Sequence, residues 1–415
     1  MKVVIINNSD ILGGAAVVSH RLMNALRKDG VDARMLVVNK YGDDDNVTTF
    51  GSKLKAKYYF IKERLRIFIS NGFSRNNLFK VSIANSGFHI NNNPVIKDAD
   101  IIILNWINQG VLSLKTIRKL HKLNIPIVWI MHDMWECTGI CHHAYECVNY
   151  QRHCGHCVYL GSDKKYDLSY KTLSHKKKLY HDIPVKFVAV SNWLARKCRE
   201  SYLLKDYDID VIYNAFPVDK FLYERKVNNF VPDGVKVIVM GAARLDDPVK
   251  GFQFMIDAMI YIRDNMPELA GILHILLYGT IRDKSLLDKI SVPYTFLGSI
   301  KGVEELSDIY RQSDIVLSTS LYETLPGTLI EGQASGCIPV TFGNGGQHDI
   351  VDHMKTGYIA EYKSARSVAE GIEWAVNNPV DRKLLHDNVR NKFSEDAISK
   401  KYLSLFNRLI NNLKK

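Results

Sequence analysis

A chain of 415 residues with 46% hydrophobic and 24% charged residues is long enough for two domains that each bury a core, which argues against a disordered or fibrous protein. Its longest apolar runs are strand-length and broken by charge, and MKVVIINNSD turns polar before a secretory core develops, so a cytoplasmic protein without a membrane span is expected. Lysine and arginine total 55 against 44 acidic residues, a formal charge of +11, which favours a polyanionic partner, nucleic acid and anionic membrane both being candidates.

Both halves repeat an apolar strand, a turn and an amphipathic helix, the rhythm of doubly wound parallel sheets in an α/β fold. The first strand, Lys2–Asn7, leads into Gly13 and Gly14, where absent side chains let a ligand approach the backbone. The helix Ala15–Lys28 follows, with Val18, Leu22, Ala25 and Leu26 on one face and Gly30 as its stop. Without a G-x-G-x-x-G pattern, this loop does not read as a dinucleotide site. Further strands are predicted at Arg34–Val38, Ile101–Leu104, Pro126–Ile130, Phe187–Val190 and Val211–Asn214. His132 stands just past one of them, at a position where open sheets present ligand-binding groups.

Two stretches, Asp43–Ser86 and Cys137–Asp163, break the rhythm as insertions. Within the first, Lys53–Arg75 mixes Tyr58, Tyr59, Phe60, Ile61, Leu65, Ile67 and Phe68 with Lys55, Lys57, Lys62, Arg64 and Arg66. That pattern fits either an interfacial membrane helix or a basic surface helix packed on its own domain. The second is rich in Cys and His over 137–160. Cys154 and Cys157 form a C-x2-C pair, and with Cys141 and Cys147 they make a candidate tetrahedral site for a structural zinc, free thiols being the alternative.

Pro217, Pro232 and Gly234 punctuate Phe216–Gly234, where no periodicity appears, so the linker is placed there. The second half opens with Val235–Gly241 and the loop GAARLDDPVKG, which carries Arg244 and Lys250. Fixed cations of this kind stabilise charge on a departing phosphate. Strands follow at His274–Tyr278, Tyr294–Leu297, Asp314–Leu317 and Ile338–Thr341, and a final helix at Ser394–Leu413. After Asp314–Leu317, Glu323 and Glu331 bracket a Pro-Gly-Thr turn that opens a helix over Thr328–Ala334. The amides of Gly327, Thr328 and Leu329 favour an anion there, while the two carboxylates accept hydrogen bonds from hydroxyls such as those of a ribose or a hexose. Gly345 and Gly346 follow the next strand and line the same pocket or simply turn the chain. Ligands of open parallel sheets bind beyond the carboxyl ends of the strands, so these landmarks are expected in one cleft.

The Glu323–Glu331 stretch resembles the E-x7-E signature of retaining glycosyltransferases of family 4. Gly13 with Gly14, His132, Arg244 with Lys250, and Gly345 with Gly346 fall in that family's order over nearly the whole chain. The resemblance implies the GT-B fold, two Rossmann-like parallel-sheet domains facing a central cleft. Residues 1–215 would form the acceptor-side domain, 216–393 the nucleotide-sugar-binding domain, and 394–415 a terminal helix crossing back to the first. It implies transfer of a sugar from a nucleotide diphosphate sugar to a hydroxyl acceptor with retention, by front-face attack assisted by the leaving phosphate and with no metal or other cofactor in catalysis. It further implies that Glu323 serves the transferred sugar's hydroxyls, Glu331 the ribose, His132 the region of the reacting carbon, and Gly13 and Gly14 the donor phosphates and the neighbouring acceptor. The gap from Arg244 to Lys250 is one residue longer than in many relatives, and Asn105 stands where relatives often carry His.

The segment CHHAYEC with CGHC, preceded by HDMWECTG, is similar to a subset of the family that builds bacterial surface polysaccharide, capsule or lipopolysaccharide, on lipid carriers. This implies a glycan or lipid-linked acceptor and a peripheral position at the inner membrane. Two other readings compete: a zinc-bearing nucleic-acid-binding protein, and a sugar-nucleotide epimerase or phosphorylase on the same architecture. The first finds only Arg152 with Tyr145, Tyr150 and Tyr159 near the cysteines and leaves the other motifs unexplained, so no nucleic-acid partner is expected. A glycosidase, which also uses two carboxylates, is disfavoured because the anion hole and paired cations suit a phosphate leaving group.

Overall fold

In a computed structural model, which describes residues 1–300 and 302–413, the chain divides into two compact units. One comprises Met1–Ala215 together with the segment from Ile398, the other Phe216–Ala397.

The first unit is built on a seven-stranded sheet of β1 (Lys2–Ser9), β2 (Asp32–Asn39), β3 (Val47–Thr49), β4 (Ile101–Leu104), β5 (Ile127–Met131), β6 (Val185–Ala189) and β7 (Ile209–Val211). All pairings are parallel, in the order β3-β2-β1-β4-β5-β6-β7. Helices cover both faces of such a sheet, which is why β4 and β5 read as unbroken apolar runs and are buried throughout. The order reverses where β1 and β4 lie side by side, with Ile5 paired to both Met35 and Ile103. Ligands gather at such a switch point, and the Gly13 loop leaves β1 there while Asn105 leaves β4.

The second unit repeats the plan with β8 (Lys236–Arg244), β9 (Leu273–Thr280), β10 (Tyr294–Gly298), β11 (Ile315–Ser318), β12 (Ile338–Phe342) and β13 (Tyr358–Ala360), ordered β10-β9-β8-β11-β12-β13. Its core joins Ile238, Ile275, Leu277, Ile315 and Val340 of the sheet to Met255, Ile256 and Met259 of the helix Phe252–Asn265. Here the order reverses at β8 and β11, the strands that lead to Arg244 and to Glu323.

Three departures from the sequence reading have physical causes. Strand β8 runs past Gly241 and ends on Arg244, because its pairing with β9 continues through a bulge to Thr280. Arg244 is therefore held by the sheet rather than by a loop. Phe216–Gly234 is no free linker, since Leu222 N–H donates to Ser307 Oγ at 3.2 Å and Asn229 N–H to Gln312 Oε1 at 2.9 Å, strapping it to the second unit. The edge strand β7 lies before Val211–Asn214, where a single partner leaves little burial pattern to read.

The terminal helix, Glu395–Leu413, buries Tyr402 and Phe406, and its Ser399 and Arg408 bond to Asp29 and Asp210. The first insertion carries the helix Lys53–Ser70, fastened to its own unit by its polar residues. Buried Glu63 accepts the N–H groups of Ile83 and Ala84 at 2.6 and 2.9 Å, and buried Arg64 donates to the carbonyls of Leu78 and Val81.

Candidate functional site

In the second unit, the fold brings three loops onto one another. The segment 247–251 follows β8, where Asp247 caps a short 3-10 turn, Pro248–Lys250. Leu321 N–H donates to Val249 O at 2.8 Å, and Thr319 Oγ donates to Gly251 O at 2.9 Å, laying this segment against the loop after β11. The contact delivers Lys250 Nζ to Glu323 Oε1 as a half-buried ion pair. The loop after β12 joins from the other side: Gly345 forms a parallel bridge with Glu323, and Gly346 N–H donates to Glu323 O at 3.0 Å. A Cβ on Gly345 would stand 2.0 Å from that same carbonyl, so a glycine is required.

The helix Gly327–Ala334 opens beside Glu323 with Pro326 at its N-cap and no side-chain cap or acidic residue in its first turn. Its leading amides, those of Gly327, Thr328 and Leu329, thus form a positive pole without a carboxylate of the helix's own to neutralise it. Leu329 contributes only its amide, because its side chain is fully buried in the core. Glu331 follows one turn later, near the hydroxyl pair Tyr278 and Tyr310, which lie 2.7 Å apart. Burial first, and the Glu331 charge second, push the Tyr278 hydroxyl up, so it stays neutral. Arg244 donates through Nη2 to Asp247 at 2.9 Å and keeps a buried Nε without a hydrogen-bond partner, its nearest carboxylate being Asp246 at 3.6 Å. Asp247, Thr319 and Asn344, whose Nδ2 donates to Leu321 O at 3.1 Å, escaped the sequence reading. Only Asp247 left a signal there, as an N-capping residue before Pro248.

In the first unit, Gly13 caps the helix Gly14–Lys28 at φ +95, and a Cβ on Gly13 or Gly14 would meet nothing within 4 Å. Their value is open access to backbone at a helix N-terminus, not tight packing. The loop lines a cavity of about 330 Å³ with Asn7, Trp106 and Gln109.

His132 lies just beyond β5 and lines a different, much smaller space of about 10 Å³ with Ser19, Tyr213, Asn214 and Tyr402. Within this unit the structure therefore does not bring His132 into the cavity of the glycine loop. Its Nε2 stands 2.7 Å from Asn105 Oδ1. A carboxamide oxygen only accepts, so Nε2 carries the proton and Nδ1 keeps the lone pair. Burial lowers the imidazole to about 4 against the opposing pull of Asp133, which leaves His132 neutral near pH 7. Asp133 was not anticipated as a site residue. It accepts from Trp135 N–H at 2.7 Å, Trp106 Nε1 at 3.3 Å and His142 Nδ1 at 2.8 Å. Burial works against its charge, but His142 and these donors hold the carboxyl well below its ordinary range.

The four cysteines weighed as zinc ligands come together in the fold. Cys141, Cys147, Cys154 and Cys157 line one cavity of about 20 Å³, yet among the described residues no group of three or more His, Cys, Asp or Glu side chains is set to hold a metal ion. Burial pushes the Cys154 thiol up to about 12 and raises Cys141 and Cys157 as well when no cation is near them.

Residues 236–378 match the family model described as Glycosyl transferases group 1. Residues 12–220, just over half the chain, match the model described as Glycosyltransferase Family 4. The chain belongs to Glycosyltransferase Family 4. Among relatives, this family member is 26% identical over 237 residues to an uncharacterized glycosyltransferase from Methanocaldococcus jannaschii, covering 53% of this chain and 59% of the relative. It is 24% identical over 242 residues to the capsular polysaccharide biosynthesis glycosyltransferase CapM of Staphylococcus aureus, covering 54% and 61%. The chain thus spans less than two thirds of the length of either relative. Among solved structures, HepE from Anabaena in complex with UDP and glucose superposes with a TM-score of 0.61 at 15% identity, over 98% of this chain and 99% of that one. The fold of this family member is GT-B. Among the described residues, no helix is long and apolar enough to cross a membrane.

Proposed function

We propose that this chain transfers a sugar from a nucleotide diphosphate sugar to a hydroxyl acceptor, with retention at the anomeric carbon. The observation that carries this reading is the Lys250–Glu323 pair set beside the uncapped amides of Gly327–Ala334. Phosphate oxygens of the donor take the amides of Gly327, Thr328 and Leu329 together with Arg244 and Lys250, which stabilise the charge that builds as the sugar–phosphate bond breaks. Glu323, oriented by Lys250 and by its bridge to Gly345, accepts from the sugar's hydroxyls, and Glu331 from the ribose. In the first unit, the Gly13–Gly14 loop meets the donor phosphates and the neighbouring acceptor, and neutral His132 offers Nδ1 near the reacting carbon. The leaving phosphate itself assists the incoming hydroxyl, so none of these residues acts as a covalent nucleophile and no metal takes part in the step.

A UDP sugar is the first donor to try, because HepE was solved with UDP and glucose. A glycan or lipid-linked acceptor of bacterial surface polysaccharide is supported by the likeness to CapM, named for capsular polysaccharide biosynthesis. The chain works on that acceptor as a peripheral protein at an anionic membrane. Its helix Lys53–Ser70 leaves Leu54 82%, Tyr58 58% and Leu65 53% exposed, while the only carboxylate on the helix, Glu63, is buried. The test is a panel of nucleotide sugars with the purified chain, scored by release of nucleotide diphosphate and by the anomeric configuration of the product in NMR. One donor yielding an α product from an α donor, with release lost in Glu331→Ala, bears the reading out; binding to none of them, or inversion, refutes it.

A further inference from the structure

One cavity of the first unit belongs to none of the groups used so far. It is a groove of about 410 Å³ that runs from the helix Lys53–Ser70 to the helices Leu114–His121 and Leu168–Asp182. That volume falls in the range of about 300–1,000 Å³ usual for a ligand pocket. Its walls carry Arg66, Lys115, Arg118, Lys171, His175 and Lys178, and no Asp or Glu. Arg118 pairs with Asp182 at 3.0 Å yet keeps a buried Nε without a hydrogen-bond partner. Two helices begin at the groove, one through Leu114 and Lys115 and the other through Leu168 and Lys171, so their N-terminal poles add to the cationic field.

The floor decides what kind of anion fits. It is aliphatic, formed by Ile83, Leu114, Leu168 and Leu179, and no Phe, Tyr or Trp lines the groove. A nucleotide or single-stranded nucleic acid relies on aromatic faces for stacking, and this site has none. An anion that brings hydrocarbon with it suits cations above an aliphatic floor. The groove also borders the helix that bears an apolar stripe, because Arg66 on its wall sits on the helix that exposes Leu54, Tyr58, Ile61, Leu65 and Ile69 at helical spacing.

We propose that this groove holds the phosphate headgroup of an anionic phospholipid while the stripe from Leu54 to Ile69 enters the bilayer interface. The inference rests on the membrane reading above and adds to it a defined headgroup site. Cations make the site selective for charge, the aliphatic floor takes the glycerol and the first methylenes, and the stripe supplies apolar area.

The experiment is co-sedimentation of the purified full chain with vesicles of pure phosphatidylcholine or of phosphatidylcholine with phosphatidylglycerol, at two salt concentrations. The parent chain is expected to bind only the vesicles with phosphatidylglycerol. Lys115→Glu with Lys171→Glu, both exposed in the free chain, is expected to weaken that binding at least tenfold without changing the thermal midpoint. Lys284→Glu with Lys289→Glu, an equal change of net charge at exposed positions of the second unit, is expected to leave it within twofold. If both double variants lose affinity equally, or the groove variant binds like the parent, the headgroup site is refuted while the membrane reading stands. Competition by millimolar inorganic phosphate would show a site for free phosphate and overturn the lipid assignment. If the parent sediments with neither vesicle, or light scattering finds a dimer that Tyr58→Ser with Leu65→Ser dissolves, the membrane reading itself fails and the stripe belongs to a second copy of the chain.

Discussion

The half-buried imidazole of His132 bears quantitatively on acid stability. In the folded chain it titrates near 4, in the unfolded chain near its ordinary 6.5, so between those values the unfolded state binds more protons. Stability therefore rises with pH across that window and is lost as pH falls through it. Integrating from pH 7 down to pH 5 gives a loss of about 2 kcal/mol from this one group. Glu136 acts in the opposite sense: burial first and the Asp133 charge second raise its pKa, so it contributes stability that fades as pH rises. The comparison that isolates His132 is thus the parent chain against His132→Gln, each unfolded in urea at pH 7 and pH 5. Four tryptophans, Trp106, Trp129, Trp135 and Trp193, lie in the first unit and only Trp374 in the second, so fluorescence reports mainly the unit that holds His132. The parent is expected to lose about 2 kcal/mol more than the variant over that interval. Equal losses would mean that His132 is not held neutral by burial.

Lys250→Met is expected to lower kcat about a hundredfold or more with the identified donor, since a fixed cation at the departing phosphate is removed, while the unfolding free energy moves by about 1 kcal/mol or less because the pair is partly solvated. Steady-state kinetics beside a urea curve separates the two effects. Glu331→Gln keeps the shape and loses the charge, so the donor KM is expected to rise about tenfold with a smaller change in kcat; a fall in kcat alone would remove Glu331 from ribose binding. Gly345→Ala drives a methyl to within 2.0 Å of the Glu323 carbonyl, and a destabilisation of about 1–3 kcal/mol is expected, read as a lower thermal midpoint together with weaker donor binding.

The sheets were legible in the sequence because buried parallel strands are written as unbroken apolar runs, Ile101–Leu104 above all. The edge strand β3, with one partner and little burial, left no such mark, and β7 was read a little late in the chain. The residues that meet in the second unit were singled out for a chemical reason: glycines, cations and carboxylates stand just past strand ends, where a structural role explains them poorly. What could not be read was pairing. Nothing in the order of residues says that Lys250 meets Glu323, that Asn105 fixes the proton of His132, or that Asp133 gathers three donors. The clustering of the cysteines could be read, since the folded backbone sets Cys141, Cys147, Cys154 and Cys157 around a common wall.

The three loops of the second unit are templates for one another. Gly251, at φ +65, brings its Cα close enough to Thr319 O that a Cβ would sit 2.0 Å away, and Gly345 has the same relation to Glu323 O. Neither contact involves a side chain that could be trimmed to make room. A set of loops assembled in this way cannot be exchanged one at a time: grafting the segment after β12 from a relative without those after β8 and β11 would set backbone against backbone. Changes of donor preference in this fold should therefore travel as sets, and a recombination experiment that exchanges all three segments together is the one expected to return a folded enzyme.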